Sequence, residues 1–387
     1  MIRLSPEEAA RRGHPVWAEI DLGALRHNVR ELRRRAGGAE VMGVVKGYAY
    51  GHGNPASAEA MLQGGASRLG VARVAEALHL RDAGITAPVH VFSEPPPAAA
   101  GVVIDRQLTA TVYTEAFARA LSDEAVSRGT TVPVHVKLDT GMHRVGLPAD
   151  EVPDALRLLK SLRGIEIEGA WSHLAVADTP EHPFNRKQLD LFRDLLGAFE
   201  RAGISLRYRH LANSAATLAL PETHFDLVRP GVACYGLWPG QALEGAADLR
   251  PVMSLRARIN MAKEVPAGDA LSYGLTYELR RTGRVVTVPA GYADGYARGL
   301  SGRADVLIRG RRFKVSGTVC MDQFMVDVGD EEIEIGDIVT LVGRDGDERV
   351  TAEELAALLG TINYEVASRI PSRVPRLYVD EDESAAG

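Results

Sequence analysis

The sequence predicts an α/β chain: an N-terminal (β/α)8 barrel of the TIM type followed by a mostly-β C-terminal domain. Three observations carry that expectation. Eight short apolar runs of strand character alternate with helical patterns across about 240 residues, the count and length of such a barrel. The Gly-rich G-x-G-x-x-G turn of an open doubly wound sheet, the runner-up, is missing from the strand–helix junctions. Near Gly240 the texture changes to short strands with Gly- and Asp-containing turns. The expected domains are therefore 1–240 and 241–387, with the stretch ahead of Val16 free to pack on the second. At 387 residues the chain is too long for one ordinary compact domain.

Taken in order, Asp21 can cap a helix whose Leu22, Leu25, Val29 and Leu32 make one apolar stripe. Strands are expected over 41–45, 68–71, 89–92, 108–112, 132–138, 165–171, 208–211 and 225–228. Helical patterns fall over 57–62, 74–82, 114–127, 152–162 and 185–202, and the link through Pro95–Pro97 reads as loop. In the second domain, strands are expected in SLRARINMA, RVVTVPA, DVLIRG, RFKVSGTV, QFMVDVG and EIEIGDIVTLVG. Helical pattern returns only over 352–359, and 381–387 reads as a frayed tail.

Composition narrows the function. Net charge is −6, with no basic stripe that would suit nucleic acid. No apolar run approaches the roughly 20 residues of a membrane span. The charged start MIRLSPEEAARRGHP lacks the apolar core of a signal peptide. Cys234 and Cys320 stand far apart, form no metal spacing, and suit a reducing cytoplasm.

The stretch VVKGYAYGHG, Val44 to Gly53, organises the rest. A buried run ends on Lys46. A lysine there is partly desolvated, which lowers its pKa and brings a neutral, nucleophilic amine within reach, able to form a Schiff base with an aldehyde cofactor. A strand-end lysine can equally snorkel to solvent, and the stretch alone leaves both readings open. Other strands end on chemistry too: Lys137, with Arg144 in the loop after it, His173, Asn213 with Ser214, and Arg229. In a barrel of this kind these groups converge on the C-terminal rim, where active sites gather.

The lysine stretch resembles the cofactor-attachment site of the alanine racemases, which depend on pyridoxal 5'-phosphate (PLP). The resemblance extends in order through K-L-D-T-G-M-x-R-x-G, H-x-A-N-S and R-P-G-x-x-x-Y-G. It continues through S-Y-G at Tyr273, C-M-D-Q at Cys320–Gln323, N-Y-E at Asn363–Glu365 and RVPR at Arg373–Arg376. It covers about Val16 to Arg376. One departure stands at Gly47-Tyr48, where the family usually has Ala followed by Asp or Asn; it bears on local packing and pocket shape, and leaves the lysine in place.

The resemblance implies roles. Lys46 would carry PLP. Ser214, read from its position as a helix cap, would instead help hold the phosphate, where a helix N-terminus suits an anion. Asn213, Tyr50, Tyr364 and the backbone at Gly231 and Val232 would join it. Arg229 would face the pyridine nitrogen and, as an always-charged donor, would leave the ring a weaker electron sink; His173, linked to Arg229, would be the neighbour that brings the Tyr273 hydroxyl below its ordinary pKa. Arg144 would bind the substrate carboxylate through its guanidinium fork. Lys137 would be carbamylated and orient Arg144; the alternative is a plain lysine paired with Asp139. Met321 and Tyr292 would line the substrate side. Tyr273 would be the second acid/base, reaching Lys46 across a homodimer interface.

The activity implied is interconversion of L- and D-alanine by two bases on opposite faces of Cα, supplying D-alanine for peptidoglycan. A broader-specificity racemase acting on serine or lysine, a barrel-type PLP decarboxylase and a non-catalytic PLP carrier are the alternatives.

Overall fold

A computed structural model of the chain describes residues 6–380; the expected tail over 381–387 lies outside them. The chain divides into two compact units. One holds residues 25–49 and 54–250; the other joins Tyr50–Gly53 to the segments before Leu25 and after Arg250.

The first unit is a nearly closed barrel of eight parallel strands: β1 Glu40–Val44, β2 Arg68–Val71, β3 Val89–Val91, β4 Leu108–Val112, β5 Val132–Lys137, β6 Ile165–Trp171, β7 Tyr208–His210 and β8 Leu227–Val228. Strands buried on both faces need apolar, β-branched runs, and β4 (LTATV) is buried at every position. Neighbours pair in chain order, and β1 pairs with both β2 and β8. The last gap, between β7 and β8, is bridged by two backbone bonds: Asp226 N–H to the Arg209 carbonyl at 3.1 Å and Arg229 N–H to the Ala212 carbonyl at 3.0 Å. The Arg209 guanidinium grips the Asp226 carboxylate at 2.7 Å across the same seam.

Helices cover the outside. Thr114 caps Glu115–Ser127 by accepting from Phe117 N–H at 3.3 Å, which puts the expected first residue of that helix at its cap. Asp21 caps Leu22–Arg35 as its position suggests, accepting from Ala24 N–H at 3.0 Å. Two short helices are corrections. Ala100–Asp105 follows a 3-10 turn in the link read as loop, and Asn363–Ser368 follows the helix Ala352–Leu359. Both are a turn and a half long, too short for an apolar stripe to stand out.

The second unit is built on a ten-stranded sheet. Its strand Val16–Asp21 lies antiparallel to Met253–Arg258 and parallel to Arg376–Val379. The run SLRARINMA breaks at Ile259–Asn260 into Met253–Arg258 and Met261–Val265, and EIEIGDIVTLVG is a strand only from Ile338. Tyr50–Gly53 is tied to this unit by Arg376, whose guanidinium donates twice to the Gly51 carbonyl at 2.9 and 2.7 Å. Gly51 has to be glycine: its φ is +85°, and a Cβ there would lie 2.2 Å from the Ala367 carbonyl oxygen. Among the described residues no helix is long and apolar enough to cross a membrane.

Candidate active site

Lys46 stands just past the end of β1, at the start of a left-handed turn. Gly47, Tyr48, Ala49 and Tyr50 all have φ between +51° and +62°. L-residues avoid that region at a cost of about 1–2 kcal/mol each, so the surroundings must enforce it. The Glu76 carboxylate accepts from Gly47 N–H at 2.6 Å, Ala49 N–H reaches the Val45 carbonyl at 3.0 Å, and Asn54 donates to that carbonyl at 3.1 Å. The departure at position 47 falls on one of these left-handed residues, where glycine is the least strained choice. A Cβ at Gly47 would meet open space, and Tyr48 is exposed. Burial lowers the pKa of the half-buried Lys46; Arg144 and Arg229 push it further down and Glu76 opposes them.

Arg229, just past β8, is buried, and among the described residues no carboxylate lies against it. Its guanidinium donates to the Ser172 and Leu211 carbonyls at 2.8 and 3.1 Å, and meets His173 Nδ1 and His210 Nδ1 at 3.2 Å. A guanidinium has no lone pair, so both imidazoles accept through bare nitrogens. His173 is thereby held neutral in one tautomer, and burial followed by the charges of Arg229 and Arg144 pushes its pKa well below the ordinary value.

Lys137, at the end of β5, is 3% exposed. Its amine donates to the Leu138 carbonyl at 2.7 Å and lies 4.9 Å from the Trp171 ring centre. Burial, then Arg229, then Arg144 depress its pKa to about 7, against the pull of Asp139. Asp139 makes no ion pair with it. That carboxylate accepts from Gly141 N–H at 2.9 Å and His143 N–H at 3.1 Å, and so shapes the loop that carries Arg144.

The capping role considered for Ser214 falls to Asn213 instead, whose side chain accepts from Ala216 N–H at 3.0 Å. The Ser214 hydroxyl turns to the next strand end, accepting from Gly231 N–H at 2.8 Å and Ala233 N–H at 3.3 Å. Between those two, the buried Val232 N–H has no hydrogen-bond partner among the described residues. The barrel mouth thus gathers two guanidiniums, two amines of lowered proton affinity, an uncommitted amide donor and few anions, an environment that favours an anionic ligand.

The other five expected residues belong to the second unit. Tyr50 and Tyr364 lie with ring centres 6.1 Å apart. Tyr273 sits in a loop whose neighbours Ser272, Gly274 and Leu275 have φ of 67°, 79° and 48°. Thr318 pins it by donating to the Tyr273 carbonyl at 2.8 Å. The Tyr273 side chain is 74% exposed, Leu275 68% and Met321 54%. Tyr292 and Met321 are carried by facing loops: Tyr292 N–H donates to the Cys320 carbonyl at 3.1 Å, and Arg373 spans Asp294 at 2.8 Å and Asp322 at 2.7 Å.

Sequence reasoning missed Glu76, Trp171 and Ser172. Trp171 lies 4.9 Å from the Arg229 guanidinium as well as under Lys137. Trp171 ends β6, and Glu76 sits in the first turn of the helix Val74–Asp82 after β2, so the strand-end rule that found Arg229 reaches both.

Comparison with known proteins agrees along nearly the whole chain. The family model described as alanine racemase, N-terminal domain, matches residues 20–239, and that for the alanine racemase C-terminal domain matches residues 252–378. The alanine racemase of Carboxydothermus hydrogenoformans is 44% identical over 94% of this chain and all of that protein. That of Desulfovibrio desulfuricans is 45% identical over 95% of this chain and 98% of its own. The crystal structure of alanine racemase from the D-cycloserine producer Streptomyces lavendulae superposes with a TM-score of 0.90 at 42% identity, over 95% of this chain and 97% of that one. The Bacillus anthracis alanine racemase with bound L-Ala-P gives 0.88 at 38% identity, over 95% of each chain.

Proposed function

The chain belongs to the alanine racemase family, and on that premise we infer how its residues divide the work of interconverting L-alanine and D-alanine. The observation that carries the reading is the Lys46 amine, half-buried at a strand end with its proton affinity lowered by burial and by two neighbouring guanidiniums. The second unit matches the family's C-terminal domain, so a barrel-only carrier is disfavoured.

The residues fit PLP. An aldehyde requires an unprotonated amine, which Lys46 is tuned to offer, and a phosphate requires N–H donors, which Val232 leaves uncommitted. Ser214 with the Gly231 and Val232 amides and the Tyr50 and Tyr364 hydroxyls would hold the phosphate, with Asn213 fixing the helix that begins at Ser214. When bound, PLP draws electron density from the substrate and acidifies its Cα proton. Arg229 would face the ring nitrogen as a fixed cation and limit how far that density is withdrawn. His173 accepts from Arg229 and keeps it aimed.

Arg144 binds the alanine carboxylate, and Met321 and Tyr292 line the substrate side. Lys46 accepts the Cα proton from D-alanine. Tyr273 of the partner subunit accepts it from L-alanine, because inversion in both directions calls for a base on each face. The exposure of Tyr273 and Leu275 on a strained, pinned loop, and of Met321 on a separate loop, supports burial of these side chains in a homodimer. The inferred setting is the cytoplasm, where D-alanine would supply peptidoglycan.

Lys137 adds a carbamate in this reading. With its pKa near 7, much of the amine is neutral at physiological pH. Its nitrogen can bond to the carbon of CO2 and release one proton to solvent, leaving an anion among the cations of the mouth. Labelled bicarbonate should give a carbamate NMR signal that Lys137→Met loses; a signal unchanged by that substitution rules the site out.

The functional test is a racemisation assay with L-alanine, L-serine and L-lysine. D-alanine from L-alanine is expected. No D-product from any of the three overturns the reading, and faster turnover of serine or lysine transfers it to a broader racemase. Borohydride reduction and peptide mapping should label Lys46.

A further inference from the structure

The barrel interior is more polar than the site at its mouth requires. His90 on β3, His135 on β5 and His210 on β7 are all fully buried, where Val and Leu would pack as well. Two of them form a chain. Arg229 Nη1 meets His210 Nδ1 at 3.2 Å, His210 Nε2 meets His135 Nδ1 at 2.7 Å, and His135 Nε2 meets Glu168 Oε2 at 2.9 Å. Glu168 also stands 3.6 Å from the buried Arg68 and 3.8 Å from Arg207.

The ends of this chain fix its direction. Arg229 can only donate, so His210 presents a bare Nδ1 and carries its proton on Nε2. That proton points at His135 Nδ1, so His135 is bare there and carries its own proton on Nε2. A carboxylate can only accept, and Glu168 takes that last bond. Both rings are neutral in the Nε2–H tautomer, in keeping with burial lowering the pKa of each. If His210 took the other tautomer, its Nδ1–H would oppose an Arg229 N–H, donor against donor, and the guanidinium would have to turn.

We propose that Glu168 is a positioning residue for racemisation: through His135 and His210 it keeps His210 an acceptor and so holds Arg229 in its orientation. The proposal rests on the reading of Arg229 as the partner of the cofactor's ring nitrogen. Among the described residues no carboxylate touches Arg229, whose four acceptors there are two imidazole nitrogens and two carbonyls. Glu168 is the anion at the far end of its hydrogen-bonded chain.

The test uses the full-length protein loaded with PLP, with nitrogen-15 in its histidines. Wild type should show His135 and His210 as neutral Nε2–H tautomers. Glu168→Gln removes the charge, and His135→Leu cuts the chain while leaving Glu168 beside Arg68. In both variants His210 should shift toward Nδ1–H and the PLP absorbance band should change. kcat should fall about tenfold, the loss of one charge-assisted bond, with KM for alanine little altered. His135→Gln, which offers an amide N–H toward Glu168 and an oxygen toward His210, should recover most of that loss. A purely structural role would lower the melting temperature while tautomers, absorbance and kcat per loaded site stayed at wild-type values, and that result overturns the proposal. If neither breaking variant folds, the wild-type spectrum decides, because a His210 protonated on Nδ1 is incompatible with the chain. If the wild-type protein makes no D-alanine, the functional reading fails, while tautomers and absorbance still decide this one.

Discussion

At the scale of single residues, burial distinguishes the cations of the barrel mouth from one another. Lys137 and Arg229 are moved most, the lysine from 10.5 to about 7 and the arginine from 12.5 to about 9. Between the lysine's two values the unfolded chain holds a proton on its amine that the folded chain lacks, so stability should rise with pH from about 7 to 10. Lys46 contributes with the same sign. In CO2-free buffer without PLP, denaturant midpoints across that range should climb for wild type, and Lys137→Met should flatten the climb. A climb of equal slope in the variant contradicts the assignment. Tyr273→Phe should abolish racemisation and leave the PLP absorbance in place; loss of PLP would make the hydroxyl structural. Lys46, His173 and Arg229 were legible in the sequence because each follows a strand that is itself legible. The roles of His135, His210 and Glu168 were not, since an inward-facing histidine gains a meaning only from a partner as much as 75 residues away.

At the scale of elements, the turn after Lys46 shows where local preference and tertiary demand conflict. Two tyrosines and an alanine adopt left-handed backbone between a short strand and a loop, held by Glu76 and Asn54. Gly47→Ala should lower stability by about 1 kcal/mol through backbone strain alone, with turnover close to wild type, as measured by urea unfolding and the racemisation assay. Gly51→Ala sets a Cβ against the Ala367 carbonyl and should cost about 2–3 kcal/mol. If the two substitutions cost the same, the close approach at Gly51 is not what fixes that glycine. The barrel strands were readable as continuous apolar runs and the longer helices by period. Ala100–Asp105 was not: AGVVID carries no polar face, and the helix packs chiefly on the helix Glu115–Ser127, with further contacts to the Pro97–Ala99 turn and β4.

At the scale of the whole molecule, the boundary in sequence is simpler than the division in space. The sequence changes texture near Gly240, while the units part at Arg250 and the second also recruits Val16–Asp21 and Tyr50–Gly53 from the first part of the chain. Strand pairing over more than 230 residues leaves no local trace that a single sequence can offer. The same unit carries Tyr273, Leu275 and Met321 exposed, a surface suited to burial against a second copy. Leu275→Arg should therefore shift the protein toward monomer in sedimentation and reduce racemisation in parallel; an active monomer would separate the two.

The central claim is that one working site takes its amine from Lys46 of one protomer and its phenol from the other. Subunit mixing measures this directly. Lys46→Ala and Tyr273→Phe should each be inactive alone. Unfolded together and refolded as mixed dimers, half of the dimers should pair unlike chains and carry one intact site, restoring about a quarter of wild-type activity. Mixed dimers that form and remain inactive would contradict it.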